Sequence, residues 1–206
     1  MDVLPSRGEA GGGLSGGLRV VALAASAGGL QAISGLLHAL PADFPAAIVV
    51  VQHLSPSYKS LMHDILGRRC LLRVSQVRAG DRLRAGCVCI APPDRHVEVN
   101  PDGTLSLTDD ARVHYVRPSA DVLFESLARS FGDRAIAVVL TGRGSDGTPG
   151  VSAIKRGGGT VIAQDRGTSE HFGMPSAAIA THDVDLVLPL EQIAPALVRL
   201  VGNGHA

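Results

Sequence analysis

The chain has 206 residues, 45% of them hydrophobic, with 19 Lys+Arg balanced by 19 Asp+Glu: enough for one domain with a substantial core, and no net field drawing it to nucleic acid or anionic lipid. Trp is absent and aromatics are only 3%, which argues against a base-stacking binder, and no apolar run approaches the roughly 20 residues that span a bilayer. The three cysteines, Cys70, Cys87 and Cys89, are odd in number, which disfavours a disulfide framework and fits a reducing cytoplasm.

Residues 1–17 lack the apolar stretch of a secretory signal and read as a flexible Gly-rich leader. Leu18 to Leu23 is the first strand candidate, and its apolar run ends at a lone Ser26 before Gly28 and Gly29. Leu30, Ile33, Leu36, Leu37 and Leu40 then recur at helical spacing until Pro41. Ala47 to Val51 is a continuous run of the kind a strand buried on both faces shows, and it leads into Gln52 and His53. Residues 58–67 read as a helix with Leu61, Ile65 and Leu66 inward. Leu71 to Val77 and Cys87 to Ala91 are further strand candidates, with Cys87 and Cys89 on one face as small buried hydrophobes.

His96–Val99 and Thr104–Leu107 alternate about Asn100-Pro101-Asp102-Gly103, the pattern of a β-hairpin. Ser119 is a candidate N-cap for a helix whose buried stripe is Ala120, Leu123, Phe124, Leu127 and Phe131. Ala135 to Leu140 is again a solid apolar strand, followed by Thr141-Gly142-Arg143-Gly144-Ser145-Asp146-Gly147. A helix over 149–156, a strand at Thr160–Ala163, a short helix near 175–180, a strand at Leu186–Leu188 and a helix at 190–200 complete the chain. This alternation predicts an α/β fold: a single doubly wound, mostly parallel sheet with helices on both faces and one antiparallel hairpin. One domain spans 18–201, with a tail at 202–206.

In such a sheet, the residues just past the parallel strands line one rim, where polar chemistry gathers. Ser26 follows the first strand, His53 the second, and Asp146 lies in the Gly-rich turn after the Ala135–Leu140 strand. A serine hydroxyl needs an imidazole to take its proton, and the imidazole needs a carboxylate to fix its tautomer, so these are the parts of a hydrolytic triad. Backbone N–H groups of Ala27 and Gly28 at a helix start, and of Arg143 in the glycine turn, are candidate oxyanion donors. Each residue also has a plainer role open to it. Ser26 alone reads more readily as a helix cap, and His53 as a satisfied histidine beside a turn. Asp94 and Asp165 also follow strand candidates and compete with Asp146. His38, His63 and His96 lack ligand-type spacing, so neither a metal nor a cofactor is implied. The arginines between Arg68 and Arg84 read as a solvated face rather than a dock for an acidic partner. On the residues alone, a rim-site hydrolase stands level with a ligand-binding module.

Several ordered motifs resemble the catalytic domain of the CheB family of chemotaxis methylesterases. They are Ala25-Ser26-Ala27-Gly28-Gly29, Val49-Val50-Val51-Gln52-His53, Ile90-Ala91-Pro92, Arg117-Pro118-Ser119-Ala120-Asp121-Val122-Leu123-Phe124, the 140–147 turn, Gly158–Asp165 and Gly173-Met174-Pro175. The resemblance covers about 18–200 and implies a catalytic triad of Ser26, His53 and Asp146, choosing Asp146 over Asp94 and Asp165. It implies hydrolysis of glutamate methyl esters on the cytoplasmic helical bundle of methylated chemoreceptors, with glutamine deamidation in many members, and a cytoplasmic location. The chain departs from the family pattern at Ala27, usually Thr, and at Arg143, usually Met; Arg143 brings a cation that favours substrates with neighbouring carboxylates. The family's receiver domain is the third departure: 17 residues are too few to hold one, leaving regulation to a separate response-regulator protein. A catalytically weak regulatory binding module is the competing expectation.

Overall fold

The computed structural model describes residues 17–53 and 61–202. The expected leader up to residue 16, the start of the 58–67 helix and the tail beyond Gly202 lie outside the described residues. The strands are β1 (Arg19–Ala25), β2 (Ala46–Gln52), β3 (Arg73–Gln76), β4 (Cys87–Ile90), β5 (His96–Val99), β6 (Leu105–Thr108), β7 (Ala135–Val139), β8 (Thr160–Gln164) and β9 (Leu186–Leu188). The helices are α1 (Gly29–His38), α2 (Met62–Gly67), α3 (Ala120–Phe131), α4 (Thr148–Arg156), α5 (Gly173–Ile179) and α6 (Leu190–Gly202). Seven strands form one sheet in the order β3-β4-β2-β1-β7-β8-β9, every neighbouring pair parallel, while β5 and β6 pair antiparallel as a separate ribbon.

The central strands read as unbroken apolar runs because both of their faces are covered. In β1, Val20, Ala22 and Ala24 face the core built with α3, α4 and α5, whereas Val21, Leu23 and Ala25 face the one built with α1, α2 and α6. Each fully buried Leu, Val or Phe contributes about 1.5–3 kcal/mol. The expected stripe of α3 is buried throughout, and Ser119 caps the helix, its Oγ accepting from the Asp121 N–H at 3.1 Å. The hairpin docks on α3 through two serines: Ser126 Oγ accepts from the Val99 N–H and Ser130 Oγ donates to the Val99 carbonyl.

Local departures from expectation cluster near the β3 edge. The second helix begins at Met62, leaving Leu61 58% exposed and Ile65 half-buried; only Leu66 of the expected inward trio is in the core. The third strand is confined to Arg73–Gln76, and Leu71 is 71% exposed. Leu30, at the start of α1, is also partly exposed. Cys89 is buried, but Cys87 is only half-buried. An edge strand with one neighbour has less to pack against, so apolar content overstates burial there.

The order of strands sets the position of the site. From β1 the chain moves to β2 on one side, while β7, β8 and β9 extend the sheet on the other. The carboxyl ends of β1 and β7 therefore flank a topological switch point, where crevices open in doubly wound sheets.

Candidate functional site at the switch point

Ser26 leaves the end of β1 between its two neighbours. Its N–H donates to the Thr141 carbonyl at 3.1 Å, and the His53 N–H donates to the Ala25 carbonyl at 3.0 Å. The helix cap is not Ser26: Gly28 occupies the N-cap of α1 at φ 77°, with no side-chain cap bond. Among the described residues the half-buried Ser26 hydroxyl makes no hydrogen bond. Gly142 is required by close approach, since a Cβ there would lie 2.3 Å from Met174 Sδ and 2.9 Å from Ser26 Cβ.

The loops are tied down by two buried glutamines absent from the sequence-derived site. Gln52, ending β2, donates from Nε2 to the Ser26 carbonyl at 2.7 Å and to the His53 carbonyl at 3.1 Å. Gln164, ending β8, accepts from the Thr141 N–H at 2.8 Å and donates to the Thr168 carbonyl at 2.8 Å. Both lie in quoted motifs, but nothing in a residue string tells a strand-end amide clamp from an ordinary strand end.

His53 and Asp146 meet: Nε2 lies 2.7 Å from Asp146 Oδ2. The carboxylate is therefore on Nε2 rather than Nδ1. Asp146 is buried at the start of α3 and accepts three further bonds, from Ser119 Oγ at 2.6 Å, the Ala120 N–H at 2.6 Å and the Asp121 N–H at 3.4 Å. Burial alone would raise the Asp146 carboxyl, but the His53, Ser119 and Ala120 bonds outweigh it and hold the group below its ordinary range. Gly150 makes this approach feasible, because a Cβ there would lie 2.6 Å from Phe124 Cβ and keep α4 off α3. A buried histidine completes the support: His96 Nδ1 accepts from the Ser119 N–H at 3.2 Å, while Nε2 faces the Ala111 carbonyl at 3.1 Å.

The rival carboxylates are engaged elsewhere. Asp94 accepts from Arg117 at 2.9 and 3.1 Å, and that hydrogen bond lowers its pKa. Asp165 closes its own turn by accepting from Thr168 N–H and Oγ1. Across from Asp146, the N–H groups of Ala27, Gly28 and Arg143 make no hydrogen bond among the described residues, whereas the Gly142 N–H is taken by the His171 carbonyl. Arg143 is exposed and without an ion-pair partner among those residues. Glu170 forms part of the same lip, close enough that a Cβ on Gly28 would sit 2.7 Å from its Oε2. The rim is exposed at residues 143–145, while Ser26, Ala27 and Gly28 are half-buried. A cavity of about 590 Å³ lies elsewhere, beside β3, where Arg78, Arg82 and Arg84 line it. The six arginines between Arg68 and Arg84 are all exposed. Among the described residues no helix is long and apolar enough to cross a membrane.

The arrangement sets a carboxylate-oriented imidazole at the strand end next to the one that carries Ser26, with backbone N–H groups nearby that are unpaired among the described residues. The chain is also similar to known proteins. A family model described as CheB methylesterase matches residues 21–197. A Cupriavidus metallidurans protein named protein-glutamate methylesterase/protein-glutamine glutaminase 2 is 43% identical over 187 residues, covering 91% of this chain and 55% of that protein. An Anaeromyxobacter dehalogenans protein of the same name is 44% identical over 183 residues, covering 89% of this chain and 53% of its own length. The chain thus spans about half the length of these curated relatives. The crystal structure of the Thermotoga maritima CheB methylesterase catalytic domain superposes with a TM-score of 0.86 at 35% identity, covering 89% of this chain and 99% of that one.

Proposed function

This chain belongs to the CheB methylesterase family, and on that premise we propose that it is a serine hydrolase that demethylates glutamate methyl esters on a protein substrate. Ser26 is the nucleophile, His53 the base and Asp146 the orienting carboxylate. The observation that carries this reading is the 2.7 Å His53–Asp146 bond beside Ser26 at the switch point.

His53 Nδ1 takes the Ser26 proton as Oγ bonds to the ester carbonyl carbon. The carbonyl electrons move to oxygen, and the N–H groups of Ala27 and Arg143 stabilise that oxyanion. The C–OCH3 bond breaks, His53 returns the proton and methanol leaves. Water then attacks the glutamyl-enzyme, giving one proton to His53, which passes it to Ser26 as glutamic acid departs and releases its own proton to solvent. Because Ala27 and Arg143 act here through the main chain, replacing the family's Thr and Met leaves this stabilisation in place. No metal or cofactor enters these steps.

The substrate is the cytoplasmic helical bundle of methylated chemoreceptors, and the enzyme works in the cytoplasm. The exposed turn at 143–145 suits an ester standing on an intact helix. The exposed Arg143 favours esters with carboxylates nearby on the same surface. The relatives' names add a glutaminase activity, and the same attack on a glutamine side chain releases ammonia instead of methanol.

The test is methanol and ammonia release from methylated and glutamine-bearing receptor fragments, with Ser26→Ala as control. Methanol that depends on Ser26 supports the reading; ammonia alone replaces the esterase with a deamidase. A second reading, a regulatory binding module, draws on the Ser26 hydroxyl having no hydrogen bond among the described residues. Folded protein that binds the fragment but is not labelled by a serine-directed phosphonate would favour it.

A further inference from the structure

Asp121 is a buried carboxylate for which the steps above have no use. It stands in the first turn of α3, 4% exposed, one residue from the Ala120 N–H that binds Asp146. Ser119 joins the two acids: its Oγ donates to Asp146 Oδ1 at 2.6 Å and accepts from the Asp121 N–H at 3.1 Å. Asp121 Oδ1 accepts from the Gly150 N–H at 2.8 Å, at the start of α4. Its Oδ2 is buried without a hydrogen bond among the described residues, although His114 Nε2 faces it at 3.3 Å, close enough for an ion pair. The cluster thus holds two carboxylate–imidazole pairs, Asp146 with His53 inside and Asp121 with His114 outside, bridged by one serine.

Two features set Asp121 apart from a mere helix-packing acid. Oδ1 meets the Gly150 N–H that packing supplies, whereas Oδ2 has no hydrogen bond among the described residues, so an ionised group there carries a cost of burial. His114 is also held at some expense. It and Tyr115 are the central residues of a tight turn closed by mutual Val113–Val116 backbone bonds, and both are left-handed, at φ 49° and 64°. Such turns are normally Asn-Gly. Left-handed backbone in two residues bearing side chains is strain of the sort that persists where the surroundings enforce it.

We propose that Asp121 is a positioning residue of the site, a second negative charge behind Asp146 that sets how strongly the Asp146–His53 pair holds a proton, with His114 as its exposed counter-group. This rests on reading His53 as the base. The groups facing Asp121 are Asp146 and the Gly147 backbone from the glycine turn, the Gly150 N–H from α4, Ser119 from its own cap and His114 from the 113–116 turn. Burial, aided by the Asp146 charge, pushes the Asp121 carboxyl up to about 6. Asp121 therefore gains its charge near neutrality, while Asp146 is already ionised. Once charged, it stabilises the imidazolium of His53, making His53 the stronger base and moving the acid limb of the reaction to higher pH.

The test is Asp121→Asn, followed in two ways: the pH profile of kcat/KM for methanol release, and the NMR titration of the His53 ring in the unliganded protein. Both midpoints are expected to move to lower pH by about half a unit or more, with a lower plateau rate. His114→Asn, a half-exposed replacement that tolerates left-handed backbone, removes the group facing Oδ2 and is expected to move both midpoints by a smaller amount. Should Asp121→Asn not fold, the His114→Asn shift stands as the test. Titrations superimposable on wild type in folded protein overturn the proposal and leave Asp121 a packing residue. If wild type releases no methanol but the His53 titration still shifts, the esterase reading fails while this one holds.

Discussion

The two sides of the crevice are built on opposite principles. On the Asp146 side, the carboxylate accepts from His53, Ser119, Ala120 and Asp121, and its supporting serine is itself held by His96. On the Ser26 side, the hydroxyl and the N–H groups of Ala27, Gly28 and Arg143 have no hydrogen bond among the described residues. A filled network fixes geometry, whereas unpaired donors on an exposed lip retain their bonding capacity for a substrate. The difference predicts that damage to the two sides will look different.

The largest effect is expected on the unpaired side. Ser26→Ala should lower kcat for methanol release by about 10⁴-fold or more, yet leave the melting temperature close to wild type, because no bond is lost. A large fall in thermal stability would show that the hydroxyl has a structural role. On the filled side, Asp146→Asn should lose comparable activity, about 10⁴-fold, and some stability as well, because an amide cannot accept from His53, Ser119 and Ala120 as a carboxylate does. Asp165→Asn should do far less in the same assay; the reverse ranking would mean that His53 is not oriented by Asp146.

Ser119→Ala probes the bridge. Loss of the cap costs about 1 kcal/mol, and a loosened Asp146 should cost about ten- to a hundredfold in rate. Unchanged kinetics with a lower melting temperature would make Ser119 only a cap. The smallest effect is in stability against pH. Asp121 binds its proton more tightly folded than unfolded, so its contribution is present at low pH and fades as pH rises from about 4 to about 6. Asp146, held low, acts in the opposite sense: its contribution is complete above the ordinary carboxyl range and is lost only as pH falls below it. Melting curves of wild type and Asp121→Asn should therefore diverge between pH 4 and 6, with the variant the more stable at neutral pH. Parallel curves would contradict the upward shift of Asp121.

Regular elements with dense packing were legible in the sequence. The hairpin came from strict alternation about a Pro-Asp-Gly turn, and α3 from its stripe and cap, because for these elements local pattern and tertiary burial agree. Leu61 and Leu71 misled, since apolarity alone does not say that an edge strand has little beside it. The rim order placed Ser26, His53 and Asp146 together as candidates, but their spacing could not separate Asp146 from Asp94 or Asp165; only the Asp146 turn is packed by α4 against the start of α3. His96 and Asp121 carried no local signal, because their partners lie 23 and 29 residues away along the chain.

The amide clamps of Gln52 and Gln164 have a consequence for ionic strength. Both strands that flank the switch-point pair end in a neutral side chain holding main-chain carbonyls and N–H groups, so no charge screening acts on that part of the scaffold. Added salt reaches the exposed guanidinium of Arg143 long before it reaches these buried bonds. A salt dependence of the reaction would thus report how an acidic substrate surface approaches the lip, with the frame behind Ser26 unaltered.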